Sequence, residues 1–205
     1  MATQKTVIIN TGCANISSVK FAMQRLSDNV SVSEDVGEIQ AADKIILPGV
    51  GSANAAMDSI QHKCLTACIQ TLKQPVLGVC LGMQLMVTRS EEKAQQSQQD
   101  FTPCLDVIPG QVKRMQVGDL RLPHMGWNTV SPKNDLSIFR GIPAGTYFYF
   151  VHSFAVDVYE HTLASSEYGQ SFSASLHKDN FFGVQFHPER SGDAGATLLE
   201  NFLTL

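Results

Sequence analysis

The chain has 205 residues, of which 43% are hydrophobic and 17% charged, a composition typical of a folded domain rather than a disordered segment. Its net charge is −4 and no run of Lys and Arg occurs, which argues against nucleic acid or an acidic lipid surface as a partner. No apolar stretch approaches the roughly 18 residues of a membrane span, and residues 1–10 lack a signal-peptide core. We therefore expect a cytoplasmic protein that binds neither nucleic acid nor membranes.

Short apolar runs alternate with helical patterns in the first half of the chain. Strands are predicted at residues 6–10, 30–32, 44–47 and 75–79. Helices are predicted at about residues 15–26, capped by Asn15 or Ser17, and at about residues 53–72, capped by Ser52. This alternation predicts an α/β fold with an open, mostly parallel central sheet flanked by helices. Ligands of such sheets bind beyond the carboxyl ends of the strands.

In the second half of the chain, predicted strands follow one another with few helices between them. These strands are at residues 111–116, 146–151, 172–176 and 182–186, and Asp193 is predicted to cap a final helix. We expect them to add antiparallel strands to the sheet. The polar segment at residues 91–100 is expected to be a solvated loop. Because no linker or internal repeat occurs, we predict a single domain over residues 1–205.

The cysteines argue against both a disulfide framework and a metal site. Five are present, an odd number without paired spacings. Cys64 and Cys68 are close together on a helix-like segment, but no second Cys/His pair follows at zinc-finger spacing. We interpret these two as small apolar residues on one buried helix face. Neither a metal nor another cofactor is expected.

Residues 78–82 (GVCLG) have the form G-x-C-x-G, which is the cysteine version of a nucleophile elbow. At such an elbow a strand turns sharply into a helix, and the crowded backbone requires glycine beside the nucleophile. The helix N-terminus stabilises a thiolate at Cys80, and the N–H of Leu81 points toward a developing oxyanion. The alternative is a buried structural cysteine between two chance glycines.

The segment His187-Pro188-Glu189 follows the predicted strand at residues 182–186. Proline favours an extended conformation at His187, and residues two apart in an extended chain face the same side. We therefore expect Glu189 to bind one imidazole nitrogen while the other faces Cys80, which places a nucleophile, a base and an orienting carboxylate together. The glycines of residues 48–51 (PGVG) let backbone N–H groups turn outward and are predicted to supply a second oxyanion donor.

Together, residues 48–51 (PGVG), 78–84 (GVCLGMQ) and 187–189 (HPE) resemble the class I glutamine amidotransferase family. Residues 123–128 (PHMGWN) and 147–153 (YFYFVHS) are more specific, and they resemble the glutaminase subunits that serve imidazole glycerol phosphate synthesis in histidine biosynthesis. The resemblance spans nearly the whole chain and implies hydrolysis of L-glutamine to glutamate and ammonia. It also implies a heterodimer, in which ammonia passes to a (β/α)8-barrel cyclase that forms imidazole glycerol phosphate and AICAR.

The resemblance also assigns roles to individual residues of this sequence. Cys80 is the expected nucleophile, His187 the general base and acid, and Glu189 the residue that orients His187. Backbone N–H groups of Gly51 and Leu81 are the expected oxyanion hole. Four further residues are expected to hold glutamine: Gln84, Glu92, His152 and Ser153. Three residues are expected to face the cyclase: Tyr149, Trp127 and Asn128.

Three alternative functions share parts of this pattern. A glutaminase for guanylate, anthranilate or pyridoxal phosphate synthesis has the same triad, but the segments at residues 123–128 and 147–153 argue against it. A free-standing cysteine hydrolase of the α/β-hydrolase type places its acid before the histidine, whereas Glu189 follows His187. A non-catalytic binding subunit has no need of an intact Cys, His and Glu set. The alternative interpretation is a helix-capping or solvent-facing position for Gln84, and plain core for Trp127 and the aromatic residues 147–150.

Overall fold

The computed structural model describes residues 4–12, 16–92, 100–133 and 137–205. In the first half, strands and helices alternate: β1 (Thr6–Ile9), α1 (Ile16–Gln24), β2 (Val30–Ser33), α2 (Val36–Gln40), β3 (Lys44–Gly49), α3 (Ala53–His62), α4 (Thr66–Thr71), β4 (Val76–Cys80) and α5 (Leu81–Met86). Strands dominate the second half: β5 (Val87–Ser90), β6 (Thr102–Pro103), β7 (Ile108–Arg114), β8 (His124–Pro132), β9 (Thr146–His152), β10 (Phe154–Val156), β11 (Thr162–Glu167), β12 (Ser171–Lys178), β13 (Phe181–Val184) and α6 (Gly192–Leu203).

Nine strands of the described chain form one sheet in the order β2-β1-β3-β4-β13-β12-β11-β8-β9. The first five run parallel, and the apolar runs of β1, β3 and β4 are buried, as a parallel sheet covered on both faces requires. β12, β11, β8 and β9 extend the sheet through antiparallel pairs. The predicted fold class is thus confirmed, including the antiparallel strands of the second half.

The sequence did not predict a second, four-stranded sheet, which has the order β10-β7-β5-β6. Residues 111–116, predicted to join the central sheet, contribute instead to β7 of this smaller sheet, where Val112 pairs with Ser90 and Val156. The prediction of a strand at this position is correct, but its assignment to the central sheet is wrong. Apolar alternation identifies a strand, whereas the choice of its partner depends on contacts between distant parts of the chain.

Two apolar layers cover the two faces of the central sheet. Alternate side chains of β1 and β3 point to opposite faces, with Ile9 and Leu47 in one layer and Ile8 and Ile46 in the other. α3 and α5 pack in the first layer, and α1 and α6 pack in the second. The carboxyl ends of β3, β4 and β13 come together between these layers.

The helix predicted at residues 53–72 is two helices, α3 and α4. Ser52 caps α3 as predicted, because its hydroxyl accepts a hydrogen bond from the N–H of Ala55. Between the helices, Cys64 has φ +56 and is exposed, whereas Cys68 is buried. The prediction of one buried face for both cysteines is therefore wrong at Cys64. A left-handed residue that interrupts a helix leaves no trace in the apolar periodicity.

Two other helix starts differ from the prediction, and one helix was not predicted. Ser17 lies inside α1 and does not cap it, and Asn15 lies outside the described residues. Asp193 lies in the first turn of α6, which begins one residue earlier. The short helix α2 is capped by Asp35, whose carboxylate accepts a hydrogen bond of 2.8 Å from the N–H of Glu38.

The described residues include free thiols, but no cluster of metal-binding side chains and no helix that could span a membrane. The cysteines at positions 64, 68, 80 and 104 are free thiols. Burial, followed by the charge of Glu92, raises the pKa of Cys104 to about 12, so this thiol stays protonated. Within the described ranges, no three His, Cys, Asp or Glu side chains gather where they could bind a metal ion, and no helix is long and apolar enough to cross a membrane.

Candidate active site

Cys80 lies at the carboxyl edge of the parallel strands. It is the last residue of β4, has φ +53 and directly precedes α5. Strand pairing places Gly49 of β3 beside Cys80, and Val184 of β13 beside the preceding residue, Val79. This is the edge at which parallel sheets bind ligands.

Three glycines allow the sharp turn from β4 into α5. A Cβ atom at Gly82 would lie 1.9 Å from the carbonyl oxygen of Leu47, and one at Gly78 would lie 2.8 Å from the backbone of Gly82. A Cβ atom at Gly49 would lie 2.8 Å from the nitrogen of Gly82. The first turn of α5 therefore presses directly on β3, and the strand-to-helix turn that the G-x-C-x-G pattern predicts has a steric basis.

His187 lies between Cys80 and Glu189, and its ring contacts both. Nδ1 of His187 lies 2.8 Å from Oε1 of Glu189, and the imidazole lies beside Cys80 in the wall of one pocket and interacts with it. The backbone of His187 is fixed as well, because its N–H donates to the carbonyl of Tyr149 at 2.8 Å and its carbonyl accepts from the hydroxyl of Ser191 at 2.6 Å. With Nδ1 engaged by the carboxylate, Nε2 is the nitrogen available to the sulfur.

Glu189 reaches His187 by a route that differs from the predicted one. His187 is extended, with φ −101 and ψ 95, but Pro188–Arg190 form a 3-10 turn. The two side chains meet as predicted, whereas the extended conformation expected beyond His187 is wrong. Proline suits the first position of such a turn, because no acceptor is available there for the N–H that it lacks.

The charge on His187 is set by its two partners. Burial alone lowers the pKa of His187, but its hydrogen bonds with Cys80 and Glu189, and the negative charges of these groups, raise it to about 10. The imidazole is therefore protonated at neutral pH beside the sulfur of Cys80. Oε2 of Glu189 is buried and has no hydrogen-bond partner in the described chain, so no other group competes with His187 for this carboxylate.

A pocket of about 310 Å³ opens over Cys80 and His187. Its walls include all six residues predicted for the oxyanion hole and for substrate binding: Gly51, Leu81, Gln84, Glu92, His152 and Ser153. Leu81 begins α5 directly after Cys80, and Gly51 has φ +94 in the loop that follows β3. Residues far apart in the sequence thus surround one cavity.

Gln84 and Glu92 are each held by hydrogen bonds at the pocket wall. Nε2 of Gln84 donates to the carbonyl of Phe154 and to Oε1 of Gln185, both at 2.9 Å, and the side chain is buried. The solvent-exposed alternative is therefore wrong for Gln84. Glu92 accepts a hydrogen bond of 2.8 Å from the N–H of Ala53. Burial raises the pKa of Glu92, and this hydrogen bond partly opposes the shift. A carboxyl group at this wall of the pocket suits a ligand's ammonium.

His152 belongs to a chain of hydrogen bonds that also includes His124 and Asn128. The backbone carbonyls at its two ends can only accept, and this fixes which group donates at each step. Nδ1 of His152 faces the carbonyl of Phe154 at 2.9 Å and must donate, so Nε2 accepts from Nδ1 of His124 at 3.0 Å. Nε2 of His124 then accepts from Nδ2 of Asn128, which also donates to the carbonyl of Glu167. Both histidines are thus neutral, and burial lowers the pKa of His124 to about 4 and that of His152 to about 3.

The histidine pair predicts an acid-sensitive fold. As pH falls from about 6.5 toward 4, His124 and His152 take up protons in the unfolded chain before the folded one, so the unfolding free energy decreases, by up to about 1.4 kcal/mol per pH unit for each histidine. The raised pKa of His187 acts in the opposite window, above about pH 6.5, and does not offset this loss. Denaturant unfolding at a series of pH values measures the slope.

His124→Phe isolates the contribution of His124 to this slope, because a phenyl ring preserves stacking against Phe150 and Tyr168. We expect this variant to lose about half of the slope between pH 4.5 and 6.5. His62→Gln, at an exposed position, is the matched control and is expected to keep the full slope. An unchanged slope in His124→Phe would contradict the assignment.

The ribbon of β8 and β9 has one buried and one exposed face. Trp127 pairs with Tyr149, and their rings meet edge to face at 6.1 Å. Trp127 is 55% exposed and Met125 63%, whereas Phe148 and Phe150 are fully buried. The alternative of plain core is therefore wrong for Trp127 and correct for the two phenylalanines. Large exposed apolar side chains in one patch are typical of a protein-binding surface.

Two polar residues at the site were missed by the sequence interpretation. Gln185 is fully buried next to Cys80, and His124 is the hydrogen-bond partner of His152. A glutamine within the apolar run FFGVQF was the available signal, because a buried amide requires partners. The pairing of His124 with His152 leaves no signal in spacing, since it depends on the antiparallel register of β8 with β9.

Sequence comparisons identify relatives over the full length. A family model described as glutamine amidotransferase class-I matches residues 6–205. Imidazole glycerol phosphate synthase subunit HisH 1 of Vibrio vulnificus strain YJ016 is 52% identical over 205 residues, covering 100% of both proteins. Imidazole glycerol phosphate synthase subunit HisH of Vibrio cholerae is 53% identical over 203 residues, covering 99% of the chain and 100% of the relative.

Solved structures at low identity share the fold. A GMP synthase subunit protein of Thermoplasma acidophilum has a TM-score of 0.74 at 18% identity, covering 100% of this chain and 94% of its own. PurLQS from Thermotoga maritima has a TM-score of 0.72 at 16% identity, with 98% of each chain covered. Because the family model and the relatives span nearly the whole sequence, the chain belongs to the class-I glutamine amidotransferase family and, within it, groups with the HisH subunits of imidazole glycerol phosphate synthase.

Proposed function

We propose that the chain hydrolyses L-glutamine to glutamate and ammonia, with Cys80 as the nucleophile, His187 as general acid and base, and Glu189 as the residue that orients the imidazole. The observation that carries the proposal is the contact of His187 with both Cys80 and Glu189 beneath one pocket. Membership of the amidotransferase family supports the reaction class. The two apolar layers on one central sheet support a single domain over residues 1–205.

The resting charges favour the first chemical step. The protonated His187 stabilises a thiolate at Cys80, which attacks the side-chain carbonyl carbon of glutamine. Negative charge develops on the carbonyl oxygen and is stabilised by hydrogen bonds from the backbone N–H groups of Gly51 and Leu81. Nε2 of His187 then gives its proton to the leaving nitrogen, so that ammonia departs and a glutamyl thioester remains.

The second half of the reaction restores the charges. His187 is now neutral, and its Nε2 takes a proton from water as the water oxygen attacks the thioester carbon. The carbon–sulfur bond breaks, glutamate leaves, and the Cys80 thiolate and protonated His187 return. Four pocket residues hold the substrate in this proposal: Gln84, Glu92, His152 and Ser153. The acidic Glu92 suits the α-ammonium group of glutamine.

The ammonia requires a protected route, because protonation in water removes its nucleophilicity. The relatives are named as subunits of imidazole glycerol phosphate synthase, which supports another subunit of that synthase as the partner. We propose that this partner is the (β/α)8-barrel cyclase that the sequence resemblance implies, that it forms imidazole glycerol phosphate and AICAR, and that the two chains form a heterodimer. The exposed face of β8 and β9, with Trp127, Tyr149 and Asn128, is the proposed docking surface. We place the reaction in the cytoplasm, where the free thiols would stay reduced.

A glutaminase assay with and without a co-expressed cyclase and its nucleotide ligand tests this function. We expect glutamate release that rises when the cyclase and its ligand are present, without added metal or cofactor. The nitrogen of labelled amide should appear in the cyclase product rather than in free ammonium. Co-purification with a different synthase, or ester hydrolysis with no response to glutamine, would contradict the proposal.

A further inference from the structure

Gln185 is a fully buried polar residue that the proposed reaction does not use. It follows β13, and the pairing of Val184 with Val79 brings it next to Cys80 across two parallel strands. Nε2 of Gln185 lies 3.8 Å from the sulfur of Cys80 and forms a long N–H···S hydrogen bond. Because Gln185 does not line the pocket, it approaches the sulfur from the protein interior, away from the substrate.

Neighbouring groups determine which end of the Gln185 amide faces the sulfur. Gln84 must direct its N–H groups to the carbonyl of Phe154, because a carbonyl can only accept. The same nitrogen of Gln84 donates to Oε1 of Gln185 at 2.9 Å. With its oxygen engaged in this way, Gln185 presents N–H to Cys80.

The sulfur of Cys80 therefore lies between a donor and an acceptor. The carbonyl oxygen of Val151, like the amide of Gln185, lies 3.8 Å from the sulfur. A thiol donates to that carbonyl, whereas a thiolate is repelled by it. The N–H of Gln185 has the opposite effect and favours the thiolate, and both effects are enhanced in a buried site of low dielectric.

We propose that Gln185 stabilises the Cys80 thiolate by donating an amide N–H to the sulfur. The proposal rests on the proposed role of Cys80 as the nucleophile and adds a group to the site on the side away from the substrate. Its loss leaves His187 as the group that offsets the Val151 carbonyl and raises the pH at which the thiolate forms. The turnover rate then decreases, whereas substrate binding changes little because Gln84 keeps its hydrogen bond to the carbonyl of Phe154.

Gln185→Met tests the proposal, because methionine has a similar length and no N–H donor. The rate of Cys80 alkylation by iodoacetamide, followed on the Cys80 peptide by mass spectrometry, is measured across pH. We expect the midpoint of the profile to rise by about one pH unit, with alkylation at neutral pH slower by roughly five- to tenfold. In glutamine hydrolysis, kcat should decrease by a similar factor, with KM within about twofold of the native value.

Ser175→Ala is the matched control. Ser175 is also fully buried, beside β13, and its hydroxyl donates to the carbonyl of Gly183 at 2.7 Å without facing Cys80. We expect this variant to lose stability without moving the midpoint. A native midpoint in Gln185→Met, or an equal shift in both variants, would overturn the proposal.

A measurement on the native protein covers the case in which Gln185→Met does not fold. In ¹⁵N-labelled protein, the side-chain amide resonances of Gln185 should titrate together with the alkylation profile of Cys80. They should stop titrating in Cys80→Ser if the sulfur is their partner. Resonances that do not move with pH in the native protein would overturn the proposal.

These experiments also separate the inference from the proposed function, because alkylation does not involve glutamine. A midpoint that depends on Gln185 in a protein without glutaminase activity would support the inference and contradict the function. Glutamine hydrolysis that requires Cys80, together with a native midpoint in Gln185→Met, would support the function and overturn the inference.

Discussion

Cys80→Ala is expected to reduce glutamine hydrolysis by at least about 10⁴-fold, since the substitution removes the atom that forms the thioester. The pocket over residue 80 is otherwise preserved, because alanine retains the Cβ atom at the left-handed position of the elbow. Glutamine should still bind. The rate of glutamate release at saturating glutamine, together with calorimetric binding of glutamine, checks both parts of this prediction.

Cys64→Asn is the matched control for the cysteine substitution. Cys64 also has a positive φ, and it is exposed on the connection between α3 and α4. Asparagine tolerates this conformation, so the variant should fold and retain the native rate. Native activity in Cys80→Ala, or a comparable loss in Cys64→Asn, would show that the nucleophile has been wrongly assigned.

Glu189→Gln is expected to lower kcat by about 10³-fold, because it removes the charge that stabilises the protonated His187 while preserving the side-chain shape. The amide oxygen can still accept from Nδ1 of His187, so the tautomer is preserved. The pKa of His187 should decrease from its raised value, since the charge of Glu189 is one of the causes of that shift. The alkaline limb of the kcat profile should therefore move to lower pH, with KM nearly unchanged.

Asp193→Asn is the control for loss of a negative charge near the site. Asp193 lies in the first turn of α6, close to Glu189 in sequence. We expect native kcat and a native pH profile for this variant. If Glu189→Gln lowered kcat but left the alkaline limb in place, the carboxylate would be acting through packing rather than through the charge on His187.

The local features of this protein were predictable because each depends on neighbouring residues. The elbow at Cys80 was predicted from the glycines at positions 78 and 82. Glycine is required there because the backbone of α5 packs so closely against the neighbouring strands that no Cβ atom fits. The apolar runs that become β1, β3 and β4 predicted buried parallel strands. The contact between His187 and Glu189 was predicted from their separation in sequence, although the turn that produces it was not.

The partners of these elements were not predictable, because they depend on contacts between segments far apart in the chain. The sequence predicted a strand at residues 146–151, but not that β9 would cross the carboxyl edge of the sheet. There, the carbonyl of Tyr149 accepts from His187 and that of Val151 faces Cys80. The break at Cys64 was similarly hidden, since a single left-handed residue does not change the apolar periodicity.

Short segments with strict steric or chemical requirements were enough to predict the cysteine elbow, the histidine and carboxylate pair, the mostly parallel sheet and the family. Three other features are visible only in the folded structure. Gln185 faces the sulfur of Cys80, His124 is hydrogen-bonded to His152, and Gln84 is buried. Each of these depends on strand register, which long-range packing sets and local sequence does not.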